Sequence, residues 1–165
     1  MSQINDIEFG PATEADLPAV VELCMQVEEQ HERYWPLRWQ RREGLPEGYL
    51  RWFTKRLHDP RMCIGVARHR TTAAAPVVGM ILATIIEEIP IYTFKEYAMI
   101  QDMAVRPEYR RRGIAQRLLA DAAAWAKGHG VNQLRLMVAN QNPDARAAFE
   151  KAGFRPTYQE MVLPL

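Results

Sequence analysis

Cysteine is scarce in this chain, with two among 165 residues, and Cys24 and Cys63 sit at no metal-ligand spacing. That excludes a disulfide framework, and both are expected to be buried free thiols in a reducing cytoplasm. Four histidines, His31, His58, His69 and His129, are scattered, so no metal is expected. No apolar run approaches the ~20 residues of a membrane span. Met1 to Asp16 contains no apolar core of a secretory signal, which again predicts a cytoplasmic protein with no membrane partner. Charge of one sign is also missing: 21 basic and 20 acidic residues leave a net charge of +1. A whole-surface nucleic-acid binder is therefore disfavoured. Repeats, linkers and low-complexity segments are absent.

What remains is a soluble globular composition, 48% hydrophobic and 25% charged. A chain of this length builds one real core, so residues 1–165 read as a single domain. Ile7 to Phe9 alternates like a short strand. Thr13 or Asp16 is placed to cap a helix whose stripe is Leu17, Val20, Val21 and Cys24. Pro36 breaks that helix. Gly44 and Pro46 precede a second one, with Leu50, Phe53 and Leu57 on one face. Met62 to Ala67 and Val77 to Ile86 read as antiparallel partners joined by a small-residue turn over 71–76. Residues 87–94 read as a strand end and a loop. Gln133 to Val138 reads as a strand, Asn142-Pro143 as a helix start with Asn as cap, and Gly153 as its stop. Tyr158 to Leu163 is expected to add a last strand.

One stretch organises the rest. Ile100 to Val105 is an apolar run interrupted by Gln101 and Asp102, and Pro107 ends it because it cannot donate to a ladder. From Ile114 apolar residues recur at Ala115, Leu118, Leu119, Ala122, Trp125 and Ala126, one face of a helix. Between strand and helix lie Arg110, Arg111, Arg112 and Gly113. A helix start offers unpaired N–H groups and about half a positive charge. Gly113 has no Cβ to hold a ligand off the backbone. Together these residues describe an anion site, with phosphate the obvious anion.

This stretch resembles the GNAT N-acetyltransferase family. Its signature Gln/Arg-x-x-Gly-x-Gly/Ala is matched by Arg110, Gly113 and Ala115. A second family block, Asn-x-x-Ala-x-x-x-Tyr-x-x-x-Gly-Phe, is matched by Asn142, Ala145, Gly153 and Phe154. The resemblance covers roughly residues 98–154. It implies an α+β sandwich: a mixed, mostly antiparallel sheet, helices on both faces, and two central parallel strands that splay apart. It implies acetyl-CoA as co-substrate, with pyrophosphate on the backbone of Arg110, Arg111, Arg112, Gly113, Ile114 and Ala115. The pantetheine arm would enter the splay and pair with Met103, Ala104 and Val105, and Asn142 would touch the cofactor. Where the family often carries a tyrosine that protonates the leaving thiolate, this chain has Phe149, which has no proton to give.

The reaction so implied is attack of a primary amine on the acetyl thioester, in a ternary complex. The amine arrives as ammonium and needs a base. Some family members carry Glu-Asp on the central strand; here it is Gln101-Asp102, which makes Asp102 the candidate, although successive strand residues face opposite sides and the two cannot both look into the cleft unless a bulge re-aims one. Glu87 and Glu88 are alternatives. A strand N–H near Met103 or Ala104 is the candidate oxyanion donor. Tyr34, Trp35, Trp39, Tyr49, Trp52 and Phe53 give the first half an aromatic group suited to an apolar or cationic small-molecule amine. The same residues serve equally to pack two helices, or to cover a homodimer contact. Two other readings compete with the enzyme. One is a catalytically silent acyl-CoA-binding sensor. The other is a nucleic-acid binder using Arg106, Arg110, Arg111, Arg112 and Arg117, which the near-zero net charge disfavours.

Overall fold

A computed structural model describes residues 4–70 and 76–165. Five strands, Ile7–Pro11 (β1), Met62–His69 (β2), Val77–Glu87 (β3), Glu96–Val105 (β4) and Leu134–Leu136 (β5), form one sheet in sequence order. The first four run antiparallel and β4–β5 is parallel. Two helices, Leu17–Tyr34 (α1) and Leu45–Arg56 (α3), bracket a single turn, Pro36–Trp39 (α2). Ile114–Gly128 (α4) crosses between the two parallel strands, and Pro143–Lys151 (α5) follows β5.

The sheet is covered on both faces because its central strand is apolar on both. Val77 to Ala83 is buried without a break. On one face Leu17, Val20, Leu23 and Cys24 of α1 and Phe53 of α3 pack on Met62, Ile64, Val66, Met80 and Leu82. On the other, Ile114, Leu118, Leu119 and Ala122 of α4 pack on Ile81, Ala83, Ile100 and Val105. Each such side chain removed from water contributes ~1.5–3 kcal/mol before entropy is counted. Helix ends follow the local chemistry. Trp35 is extended (φ −160°, ψ 97°), as a residue before proline must be, and α1 stops there. Gly153 takes φ +97°, a left-handed conformation open to glycine, and ends the last helical stretch.

Asp16 stands at the N-cap position of α1, one of the two expected, but its side chain makes no capping bond to that helix. Its carboxylate accepts from the Thr13 N–H (2.7 Å) and hydroxyl (2.6 Å), and from Arg68 Nε (2.9 Å) and Nη2 (2.6 Å) on β2. The β1–α1 corner is thereby fastened to the sheet. The Arg68 hydrogen bonds outweigh the cost of burial and hold the Asp16 carboxyl down at about 2.

Three local expectations are corrected. Leu50 is exposed, because Phe53 and the flanking Tyr49 and Trp52 fill the α3 contact. The strand after α4 is only three residues long. Tyr158 to Leu163 forms no strand: nothing pairs with it, and Tyr158 (82%), Met161 (89%) and Leu163 (80%) stay exposed. A strand needs a ladder partner, and the contact made by this tail is instead an ion pair from Glu160 to Arg38 on α2 (2.9 Å). The turn expected over 71–76 falls, except for Pro76, outside the described residues.

Candidate active site

β4 and β5 pair at only three positions, Ala98–Leu134, Met99–Arg135 and Ile100–Leu136. Beyond Ile100, β4 continues for five residues with β3 on one side and no strand on the other. The two parallel strands thus part, and β4 turns an open edge to the gap. The Arg106 N–H donates to Val78 O on β3 (2.8 Å), while Val105 O accepts from Arg110 Nε (3.0 Å) on the loop side. Backbone groups of a strand alternate between its two edges. Ala104 therefore faces β3, and Met103 and Val105 face the gap. Of the two candidate oxyanion donors, Met103 and Ala104, the first turns its N–H to the gap and the second to β3.

A β-bulge sits where the sequence left a conflict. The β3–β4 register steps from Leu82–Asp102 to Ala83–Ile100, so Gln101 is the extra residue. Ile100 and Met103 lie on the α4 face. Asp102 pairs across from Leu82, and Gln101 accepts from the Thr84 hydroxyl (3.1 Å), both on the α1–α3 face. The bulge lets two neighbours look the same way, which an ideal strand forbids. Asp102 is partly buried under α1 and makes no hydrogen bond or ion pair with the described residues. Burial, and next the charge of Glu28, push its carboxyl up to about 7. Glu28 Oε1 accepts from the Tyr49 hydroxyl at 2.7 Å. Burial, helped by that bond, raises the Tyr49 phenol, and burial next to Asp102 raises the Cys24 thiol.

At the far end of β4 the chain makes a 3-10 turn, Pro107–Tyr109, and then a loop into α4. Arg111 (φ 61°) and Gly113 (φ 81°) are left-handed. No side chain caps α4, and its first backbone bond runs from the Arg117 N–H to Gly113 O (3.0 Å). The N–H groups of Ile114, Ala115 and Gln116 consequently have no acceptor within the helix. Arg111 is exposed and makes no side-chain hydrogen bond or ion pair with the described residues, whereas its neighbours are engaged. Arg110 holds Val105 O, and Arg112 reaches Glu108 O (2.5 Å) and lies over the Tyr109 ring. Arg106 holds Glu22, and Arg117 holds Asp121.

The strand edge at the gap and the glycine-turned helix start both lie within the stretch that matches a known family. Residues 24–154 match the pattern of the acetyltransferase (GNAT) family. The chain belongs to the GNAT acetyltransferase family. No curated protein matches it. Among solved structures, the aminoglycoside 6'-N-acetyltransferase AAC(6')-Ih of Acinetobacter baumannii is 21% identical, covers 96% of this chain and 97% of its own, and superposes with a TM-score of 0.73. A variant of the BH1408 protein of Bacillus halodurans is 21% identical, with coverage of 96% and 99% and a TM-score of 0.80. A predicted acetyltransferase of Clostridium acetobutylicum, solved with acetyl-CoA, is 19% identical, with coverage of 96% and 96% and a TM-score of 0.75. At these identities the likeness establishes the GNAT fold.

The second GNAT block sits on α5. Asn142 Oδ1 accepts from the Ala145 N–H (3.1 Å) and caps the helix, leaving its amide NH2 to donate elsewhere. Phe149 is half-buried on the α4-side core, edge-on to Phe154 at 5.9 Å. Glu88 is ion-paired to Arg135 (2.6 Å), and a backbone bond from Ile89 together with that arginine holds its carboxyl below the usual range. That makes it a poor base. Glu87 is exposed at the end of β3. The aromatic group divides. Phe53, Tyr49 and Trp52 pack the helices, while Trp39 stacks on His31 at 5.2 Å. Reasoning from sequence missed Glu28, although a signal was present. Val21, Cys24, Glu28 and His31 recur at steps of three and four, so Glu28 continues the inward stripe of α1.

Proposed function

We propose that the chain transfers the acetyl group of acetyl-CoA to a primary amine of a small molecule, by direct attack in a ternary complex. The observation that carries this is Asp102: an unpaired carboxylate, pushed up to about 7, beside an open strand edge. A general base works best when its proton affinity lies near the working pH. The loop fits an anion, since it offers three unpaired N–H groups and the free guanidinium of Arg111. When bound there, acetyl-CoA supplies an activated acyl group whose thiol, of pKa about 8.5, leaves readily as thiolate.

The chain's own residues do the rest. Asp102 takes one proton from the ammonium, so that the nitrogen lone pair can form the C–N bond. The Met103 N–H faces the gap and donates to the carbonyl oxygen as it gains charge, a contact worth ~3–4 kcal/mol in comparable sites. The C–S bond would then break, CoA would depart with the electron pair, and its thiolate would take the second proton that the nitrogen sheds on becoming an amide. No acid is required at Phe149. The paired carboxylates and the His31–Trp39 stack suit a cationic acceptor. Release of free CoA thiol from acetyl-CoA across a panel of small amines tests the reading, with turnover expected for at least one cationic amine. Tight acetyl-CoA binding with no thiol release from any amine would favour the acyl-CoA sensor, the reading to which the missing hydroxyl at Phe149 points.

A further inference from the structure

Two separate devices turn Glu28 and Asp102 into the same packing layer between α1 and β4. The bulge at Gln101 turns Asp102 to the α1–α3 face, and the heptad-like spacing of α1 brings Glu28 inward over the same strand. Tyr49, from α3, fixes Glu28 by donating its hydroxyl to Oε1 at 2.7 Å. Two carboxylates left close together normally recruit a cation. Here the nearby arginines are already committed: Arg41 to Glu32 at 2.7 Å, and Arg38 to Glu160 at 2.9 Å. Around Asp102 the titratable groups are Cys24 and Glu28 from α1 and Tyr49 from α3, while β3 contributes Leu82 and the neighbouring strand residue is Gln101. Burial keeps the Cys24 thiol and the Tyr49 phenol protonated and depresses His31, which is stacked on Trp39. Glu28 is left as the one formal charge acting on Asp102.

We propose that Glu28, anchored by Tyr49, is a positioning residue for acetyl transfer: its charge acts across the α1–β4 packing to make Asp102 a stronger base. The chemical reason is the mismatch between the two proton partners. An ordinary carboxylate is a far weaker base than the amine whose proton it must take, and each unit of mismatch removed favours transfer tenfold. A like charge nearby narrows the gap. It also draws an ammonium toward the pair, and the binding of that cation in turn relieves the repulsion. Tyr49 keeps the second charge from swinging into water, where it would be screened. This proposal rests on the assignment of Asp102 as base, and its test separates the two.

The measurement is a carbon-13 NMR titration of the Asp102 carboxyl in the full-length protein without substrate, together with the pH dependence of kcat/KM. Glu28→Gln is expected to lower the Asp102 midpoint by about one unit and to move the acid limb of kcat/KM with it. Glu28→Asp keeps the charge and is expected to stay nearer the parent. Tyr49→Phe keeps the charge but frees it, so a smaller fall is expected, and this variant also decides the matter if Glu28→Gln does not fold. An unmoved midpoint in a folded Glu28→Gln or Tyr49→Phe protein overturns the proposal and leaves the base assignment standing. Full turnover by Asp102→Asn overturns the base assignment itself, whatever Glu28 does to the midpoint, and Glu28 then has no proton transfer to serve.

Discussion

Replacing Asp102 by Asn is expected to make the protein more stable and much less active. Burial and Glu28 raise the Asp102 carboxyl from 3.8 to about 7 in the folded chain. A raised acid contributes stability while it is protonated, fully so below the unfolded value near 3.8, and loses it as pH rises through 7. At pH 4 the parent and Asp102→Asn should therefore melt alike. At pH 8 the parent holds an ionised carboxylate in a site that penalises it. The displacement corresponds to at most ~4 kcal/mol, and partial access to water makes ~2–3 kcal/mol the expected gain for the variant. For a chain of this size that is a rise in Tm of ~5–10 °C at pH 8. Turnover should fall by about two to four powers of ten, with acetyl-CoA affinity unchanged and some activity recovered at high pH, where the amine is already neutral. Melts at pH 4, 6 and 8 beside steady-state thiol release check both halves. Normal turnover combined with lost stability at pH 8 would refute the reasoning and make Asp102 a structural residue.

Gly113→Val should weaken acetyl-CoA binding at least tenfold, about 1.4 kcal/mol, in a calorimetric titration. The cause is the φ of +81° together with Ile4 Cδ1, which lies 3.3 Å from where a Cβ would stand, so the loop itself must deform. Phe149→Tyr should change turnover modestly or not at all, because the thiolate leaves unaided; a large loss would mean that the edge-on Phe154 contact is too tight for a hydroxyl. Asp16→Asn should cost ~2–3 kcal/mol at pH 7, since it leaves Arg68 half-buried beside a neutral partner. That cost should shrink as pH falls from 3.8 toward 2, where the parent's own carboxyl becomes protonated, as denaturant midpoints across that range will show.

The cofactor half of the fold was the more legible. Its elements carry strong local marks: proline at 107 and 143, glycine at 113 and 153, and a helix stripe that begins at Ile114, where α4 begins. The splay was legible only through resemblance, because strand pairing is a tertiary property and nothing local in Gln101 to Val105 says that one edge lacks a partner. Asp102 was found and its face was not. Alternation placed Gln101 and Asp102 on opposite sides, and the bulge that reunites them has no glycine to announce it. Glu28 was hidden for a different reason: polar residues on a helix are discounted as solvated, even at an inward position. The last strand failed because alternation in Tyr158 to Leu163 describes a capacity to pair, while pairing also requires an edge within reach.

The three-rung ladder between β4 and β5 has a consequence for the lifetime of the molecule. A sheet joined to its last strand by so few bonds opens there first, and amides of Leu134 to Leu136 should exchange with solvent long before those of β3. A ligand bridging the parted edges adds the missing rungs. At a concentration a hundredfold above its Kd it would stabilise the folded chain by about 2.7 kcal/mol, and suppress opening by the same factor of a hundred. Proteases that act on the open form would then cut the ligand-bound chain far more slowly than the free one.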